Sequence, residues 1–292
     1  MNFWEWYDRS LLIANQSNVP KYELEWLILN LTSLTKLDLR LRSSNLDHKL
    51  TPQLVTKLDQ LWQKRLIERV PVQYLTGSVI WRDLELNVSP DVLIPRPETE
   101  LIIDIITEFV NQNQQTDFYK YGTWVDLGTG SGAIAIALAQ QFPHAQIHAI
   151  DISENALEIA EINSYKNHQK INFHLGNWFE PLANLNLTNQ ITGIVSNPPY
   201  IPSLEVLNLQ PEVVNHEPHL ALDGGNSGLD SIRELVDVAP KYLVSGGFWI
   251  IELMSGQAEI VRSLLQENGK YTNIQIHQDY ANIERFVSGQ II

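Results

Sequence analysis

A chain of 292 residues, 44% hydrophobic and with 8 Trp, can bury one large core and a smaller one, and its 18% charged residues are too few for a disordered polymer. The absence of cysteine excludes a disulfide framework, a thiolate nucleophile and a Cys-ligated metal. The net charge of −14 is uneven: residues 1–90 hold 11 Lys/Arg against 10 Asp/Glu, which leaves 9 against 24 for residues 91–292, a balance that repels a phosphate backbone and attracts a basic polypeptide.

Met1 to Asn15 carries Glu5, Asp8 and Arg9 among its aromatics, so it is not a signal peptide, and apolar runs such as Gly132 to Ala139 are too short to span a bilayer. A soluble, cytoplasmic protein is expected. Residues 1 to about 70 read as helices. Phe3, Trp6, Tyr7, Ser10, Leu11 and Ala14 recur at helical spacing, and Tyr22 to Leu31 repeats the pattern with Trp26, Leu27 and Asn30. Thr51-Pro52 is an N-cap with proline at the first helical position, opening a helix towards Arg69 with the stripe Leu54, Leu58, Leu61, Trp62 and Leu66. Pro71 closes it.

Val79–Trp81 and Leu84–Val88, separated by Arg82-Asp83, predict a β-hairpin. Ser89 to Pro97 reads as an ordered loop, Glu98 to Val110 as a helix and Asn111 to Tyr121 as a connection. From Thr123 strands and helices alternate. Strands are expected at Thr123–Asp126, Gln146–Asp151, Ile171–Leu175, Gly193–Ser196, Gly247–Glu252, Thr272–His277 and Arg285–Ser288. Helices fall between them at Ala133–Gln141, Glu154–Tyr165, Ser231–Tyr242 and Ala258–Glu267. This alternation predicts an α/β fold with a mostly parallel sheet and ligands at the carboxyl ends of its strands.

Trp124-Val125-Asp126-Leu127-Gly128-Thr129-Gly130-Ser131-Gly132-Ala133 is a strand ending in an acid, then a glycine-rich turn into a helix. Glycines let the backbone approach a bulky ligand, and a helix N-terminus aims amides at it. Gly128-x-Gly130-x-x-Ala133 alone also fits a dinucleotide fingerprint. Asp126 separates the two readings, because a carboxylate there repels a pyrophosphate and suits the ammonium of a methionine moiety. Asp151 ends the next strand, where a ribose-binding acid is expected, and Trp178 follows the third strand, where an adenine ring would lie. Ordinary strand-end charges and a core tryptophan are the plainer alternatives.

Ile194-Val195-Ser196 runs into Asn197-Pro198-Pro199-Tyr200. An amide nitrogen is a poor nucleophile because its lone pair is delocalised. A site that accepts both N–H groups enriches that nitrogen and aims its lone pair at a methyl donor. The Asn197 side-chain carbonyl and the Pro198 peptide carbonyl are two such acceptors, the prolines stiffen them, and Tyr200 walls a planar group. The alternative is a proline-rich turn capped by asparagine.

With both motifs in register, the chain resembles the release-factor glutamine methyltransferases (the HemK/PrmC family). The resemblance runs from about Pro71 onward, through Pro71-Val72-Gln73-Tyr74-Leu75-Thr76-Gly77, Leu93-Ile94-Pro95-Arg96-Pro97-Glu98-Thr99-Glu100, Asp126 to Gly132 and Asn197 to Ile201. It continues in Glu217-Pro218, Ala221-Leu222, Gly224-Gly225 and Gly228-Leu229-Asp230. It implies a seven-stranded Rossmann-like methyltransferase sheet over 91–292, an N-terminal helical substrate-docking domain over 1–75, and a linking hairpin over 76–90. It implies S-adenosylmethionine as methyl donor, with S-adenosylhomocysteine as product and no metal. Its substrate is the glutamine of the Gly-Gly-Gln motif in class I peptide-chain release factors, with no nucleic acid, no membrane and a monomeric enzyme. Carried over, Asp126, Leu127, Gly128, Thr129 and Gly130 bind the methionine end, Asp151 the ribose and Trp178 the adenine. Asn197 borders the cofactor, and Asn197, Pro198, Pro199 and Tyr200 hold the substrate amide, with Asn197, Pro198 and Tyr200 as the catalytic set. Asn177, where the family usually has Asp, His216, where an aromatic is common, and Ile283-Glu284-Arg285-Phe286, which follows Gly-x-x-Arg only loosely, depart from the pattern. The rival readings are an adenine-specific nucleic-acid methyltransferase, which the acidic half disfavours, an inactive scaffold, and a nicotinamide-dependent dehydrogenase.

Overall fold

The helical periodicity of the first 70 residues produces short packed helices in the computed structural model, which describes residues 2–42 and 50–292. They are α1 (Phe3–Gln16), α2 (Lys21–Leu31), α3 (Lys36–Leu41), α4 (Pro52–Gln63) and α5 (Val72–Thr76); the 43–49 stretch of the expected helical layer lies outside the described residues. Asn2 and Glu5 form a capping box on α1, and Thr51 caps α4 through the Leu54 amide as its sequence predicts. α4 continues as a π-helical turn, Lys64–Glu68, and stops at Arg69 in the left-handed conformation. Phe3, Trp6, Tyr7, Leu58 and Trp62 share the core of this unit. On α2 the fully buried positions are Glu23, Leu24, Leu27 and Ile28; Trp26 is half-buried and packs against the same core, while Asn30 is exposed and falls off the expected stripe. Nearly every position from Trp26 to Leu31 is apolar, and such a run fits more than one helical face.

This first unit comprises residues 1–78 together with Gln210–His216, drawn from far along the chain. The buried Arg65 guanidinium joins the two pieces, pairing with Glu23 and, at 2.9 Å, with Glu212; Arg69 pairs with Glu212 at 2.6 Å, and His216 Nε2 lies 2.7 Å from the Glu68 carbonyl oxygen. Close chain neighbours alone would not reveal this pairing.

The second unit, residues 79–209 and 217–292, carries the sheet. Its hairpin is β1 (Ser78–Trp81) and β2 (Leu84–Asn87), turned at Arg82 with φ of 54°. A 3-10 turn (Glu98–Glu100) leads into α6 (Leu101–Gln112). The expected connection that follows contains one further helical turn, α7 (Thr116–Lys120), because Tyr119 buries its ring and donates its hydroxyl to the Gly246 carbonyl at 2.7 Å. Then come β3 (Thr123–Leu127), α8 (Ala133–Gln141), β4 (Gln146–Asp151), α9 (Glu154–Lys166), β5 (Asn172–Leu175), α10 (Glu180–Asn184) and β6 (Ile191–Ser196). The chain ends with α11 (Ser203–Val206), α12 (Pro211–His216, in the first unit), α13 (Asp230–Val238), β7 (Leu243–Glu252), α14 (Ala258–Asn268), β8 (Tyr271–Gln278) and β9 (Glu284–Ile291).

The seven expected strands form one sheet in the order β5-β4-β3-β6-β7-β9-β8. Five run parallel, and β9 inserts antiparallel to both β7 and β8. β6 is buried along its whole length, as expected for a central strand covered on both faces. Register aligns Leu127 with Ile150 on one side and Ser196 on the other, and Ser196 with Ile251. The glycine turn, Asp151, the Asn-Pro-Pro-Tyr loop and Glu252 therefore emerge along one carboxyl edge. The β3–β6 junction is the point where strand order reverses, the place where ligands bind in such sheets.

Candidate active site

The turn after β3 is built by three glycines in the left-handed region: Gly128 (φ 73°), Gly130 (54°) and Gly132 (83°). At Gly128 an added Cβ would come within 3.2 Å of the Trp178 ring, and at Gly132 within 3.1 Å of Ala160. At Gly130 it would meet no protein atom within 4 Å. Gly130 thus leaves open space where a side chain would stand.

Asp151 holds this turn. Its Oδ2 accepts from the Gly130 amide at 2.8 Å and its Oδ1 from the Ser153 amide at 2.9 Å, while burial pushes the carboxyl upward against those bonds. Asp126 lies beneath the turn, fully buried. Its Oδ2 accepts from the Thr129 hydroxyl at 2.6 Å and from the Ala135 amide at 3.2 Å, so it satisfies one of the first amides of α8. Its Oδ1 has no partner, and desolvation pushes the carboxyl up to about 7, opposed by those two bonds.

A cavity of about 260 Å³ opens at this edge. Of the predicted site residues Gly128, Gly130, Asp151, Trp178, Asn197 and Pro199 line it, together with Asn177. Asp126, Leu127 and Thr129 are buried behind the turn and do not line it. Trp178 reaches the cavity from a strained backbone with φ of 43°, an orientation its residue type does not disclose.

Asn197 follows β6. Its Nδ2 donates to the Thr99 hydroxyl at 3.2 Å. Thr99 is itself buried within the Pro95–Glu100 stretch, and its hydroxyl is hydrogen-bonded to Glu252, at the end of β7. The Tyr200 hydroxyl donates to the same Glu252 carboxylate at 3.0 Å, and burial with that carboxylate raises the phenol well above its ordinary value. Tyr200 packs against the core and is anchored there; it is not among the cavity-lining residues. Pro198 is buried.

Three of the glycines read in the chain beyond the loop have a packing reason. An added Cβ at Gly224 would sit 2.7 Å from the Pro199 carbonyl oxygen, one at Gly228 2.2 Å from that of Tyr200, and one at Gly225 would strike Asp230. Gln257 donates to the Tyr200 carbonyl at 2.9 Å, and Arg96 pairs with the buried Glu217 at 2.7 Å, fixing the Pro-Arg-Pro stretch beside the site. Glu252, Thr99 and Gln257 were not marked by the sequence as site residues. Thr99 stood inside a recognised motif and Glu252 ended a predicted strand at the ligand edge, which were the available signals.

A family model, Methyltransferase small domain, matches residues 100–227, and another, PrmC N-terminal domain, matches residues 8–77. A release factor glutamine methyltransferase of Synechocystis sp. is 46% identical over 99% of this chain and 96% of its own length. Relatives of that same description from Thermosynechococcus vestitus (43% identical; 99% and 97% covered) and Geobacter sulfurreducens (37%; 98% and 94%) extend the likeness. In fold, the chain is similar to the hMettl16 catalytic domain solved in complex with MAT2A 3′UTR hairpin 6, with a TM-score of 0.53, 11% identity and 83% of each chain covered. Near-full-length identity at this level, on a sheet whose carboxyl edge carries the glycine turn and Asn197-Pro198-Pro199-Tyr200, places the chain in the family of release factor glutamine methyltransferases, S-adenosylmethionine-dependent enzymes.

Proposed function

We propose that this enzyme methylates the side-chain amide of the glutamine in the Gly-Gly-Gln motif of class I peptide-chain release factors, in the cytoplasm and as a monomer. The observation that carries the reading is Asn197. It lines the same cavity as Gly128, Gly130 and Asp151, and with its Nδ2 given to Thr99 its Oδ1 is the half left for a ligand.

The residues fit the methyl donor. Gly130 leaves open space, Asp151 is a half-satisfied carboxylate able to take ribose hydroxyls, and the Trp178 ring stands over Gly128 where an adenine can pack. The unpartnered Oδ1 of Asp126 is the acid for the ammonium of the methionine end, with Leu127 and Thr129 shaping the turn around it. When bound, S-adenosylmethionine supplies a sulfonium methyl and leaves as S-adenosylhomocysteine.

The chain's own part is to orient the acceptor. Asn197 Oδ1 and the Pro198 carbonyl each take one N–H of the substrate amide, which turns the nitrogen lone pair towards the methyl. Pro199 and Tyr200 fix the loop that holds them, so little freedom is lost on binding. As the N–C bond forms the nitrogen becomes cationic, both acceptors bind it more tightly, and its proton becomes acidic enough to leave without a dedicated base. The acidic balance of residues 91–292 supports a protein substrate over a nucleic acid.

The test is incubation with labelled S-adenosylmethionine and purified class I release factors, with mass mapping of the product. A methyl group on the Gly-Gly-Gln glutamine is the expected result. Labelling of a nucleic acid, or of no glutamine, would overturn it.

A further inference from the structure

An amide side chain is two-faced: its C=O and NH2 ends have nearly the same shape and opposite hydrogen-bonding character, so its neighbours decide which end points where. For Asn197 that decision determines whether the site works. With Oδ1 towards the substrate it accepts an N–H; turned over, it would set its own N–H groups against those of the substrate.

The neighbour that decides is Thr99, and Thr99 alone cannot, because a hydroxyl both donates and accepts. Glu252 removes the ambiguity. Its carboxyl at the end of β7 is 1% exposed; burial raises it, and the hydrogen bonds from Thr99 and Tyr200 oppose that rise by favouring the ionised form, which only accepts, so the Thr99 hydroxyl turns its proton to Glu252 and its lone pair to Asn197. Asn197 must then present Nδ2 to Thr99. The Tyr200 hydroxyl donates to the same carboxylate, so both ends of the Asn-Pro-Pro-Tyr loop are referred to one acceptor.

We propose that Thr99 and Glu252 are positioning residues that fix which end of the Asn197 amide faces the substrate glutamine. The proposal deepens the amide-clamp reading and rests on it. Neither residue need touch the substrate. Glu252 works through the direction of a hydrogen-bond chain, Asn197 to Thr99 to Glu252, and a glutamine of the same shape, itself two-faced, would no longer enforce that direction.

The test measures kcat and KM for release factor, the cofactor Kd, and exchange of the Asn197 side-chain NH2 by nitrogen-15 NMR, its signal identified by its loss in Asn197→Ala. Glu252→Gln and Thr99→Val should each lower kcat by about 10- to 100-fold with the cofactor Kd and melting temperature little changed, since each removes the control of one transition-state hydrogen bond. Thr99→Ser, which keeps the hydroxyl, should stay within about threefold of wild type, and Thr99→Val alone should speed exchange of the Asn197 NH2. A merely structural role would move stability and KM and would not be rescued by serine. If Thr99→Val turns over at the wild-type rate while Asn197→Ala does not, the positioning role is wrong and the clamp stands; if Asn197→Ala itself is unimpaired, the clamp fails and takes this inference with it. Should Glu252→Gln not fold, Thr99→Val against Thr99→Ser decides.

Discussion

Asp126→Asn should make the protein more stable at alkaline pH relative to wild type than at acid pH. Asp126 is fully buried, its Oδ1 has no partner, and desolvation pushes its carboxyl from 3.8 up to about 7. A carboxyl whose folded value is raised binds its proton more tightly in the native state, so stability is highest below the unfolded value and is lost as pH rises towards the folded one. At about 1.4 kcal/mol per unit, the wild type is penalised by roughly 2 kcal/mol at pH 5 and roughly 4 kcal/mol at pH 8. The asparagine titrates at neither pH. Its Oδ1 can take the Thr129 and Ala135 bonds, and its NH2 in place of the orphan oxygen adds a constant cost that cancels between conditions. The variant's stability relative to wild type should therefore improve by about 3 kcal/mol between pH 5 and pH 8. Urea unfolding of both proteins at the two pH values, without cofactor, measures this double difference. A pH-independent difference would show that Asp126 is not a destabilised carboxylate. Pairing with the cofactor's ammonium adds a second signature: affinity in the wild type rises with pH through the same range, and in the variant it does not.

Asp151→Ala should weaken cofactor binding by about 1.5–3 kcal/mol in calorimetry, since it removes charge-assisted bonds to the ligand and the acceptor that holds the Gly130 amide. Gly193→Ala should cost about 1–3 kcal/mol in denaturant unfolding, because the new Cβ would lie 2.2 Å from the buried Trp124 ring in the middle of β6. Arg65→Ala should destabilise by about 3–5 kcal/mol in the same unfolding, because it strips the buried Glu23 of its cation and leaves Glu212 to Arg69 alone; no loss of stability would contradict that role.

What the sequence disclosed was local. Continuous apolar runs such as Ile191–Ser196, the N-cap at Thr51 and the punctuation of Gly128, Gly130 and Gly132 each act within a few residues, and all seven strands were readable from such signals. The order of strands was not, and β9 enters between β7 and β8 because a short reversal at Asp279–Ile283 turns the chain back antiparallel. Pairings across the chain were also hidden. Nothing near Thr99 in sequence announces Asn197, and nothing near Glu212 announces Arg65. Asp126 shows a different limit: its residue type and place suggest an acid for the ligand, but its full burial beneath the turn, with Oδ1 left unpartnered, depends on how the glycines fold over it. On α2, Leu27 and Trp26 meet the core as their spacing predicts, but Asn30 is exposed, because a run with almost no polar side leaves the edge of the buried face undefined.

Asn197 clamps the substrate amide, and steady-state methylation of a class I release factor by Asn197→Ala is the measurement on which that clamp stands or falls. Removing the side-chain acceptor leaves the Pro198 carbonyl as the sole partner, and kcat should fall by on the order of 10²–10³ while KM and cofactor Kd change little. Methyl transfer to the Gly-Gly-Gln glutamine at the wild-type rate by this variant would contradict the claim.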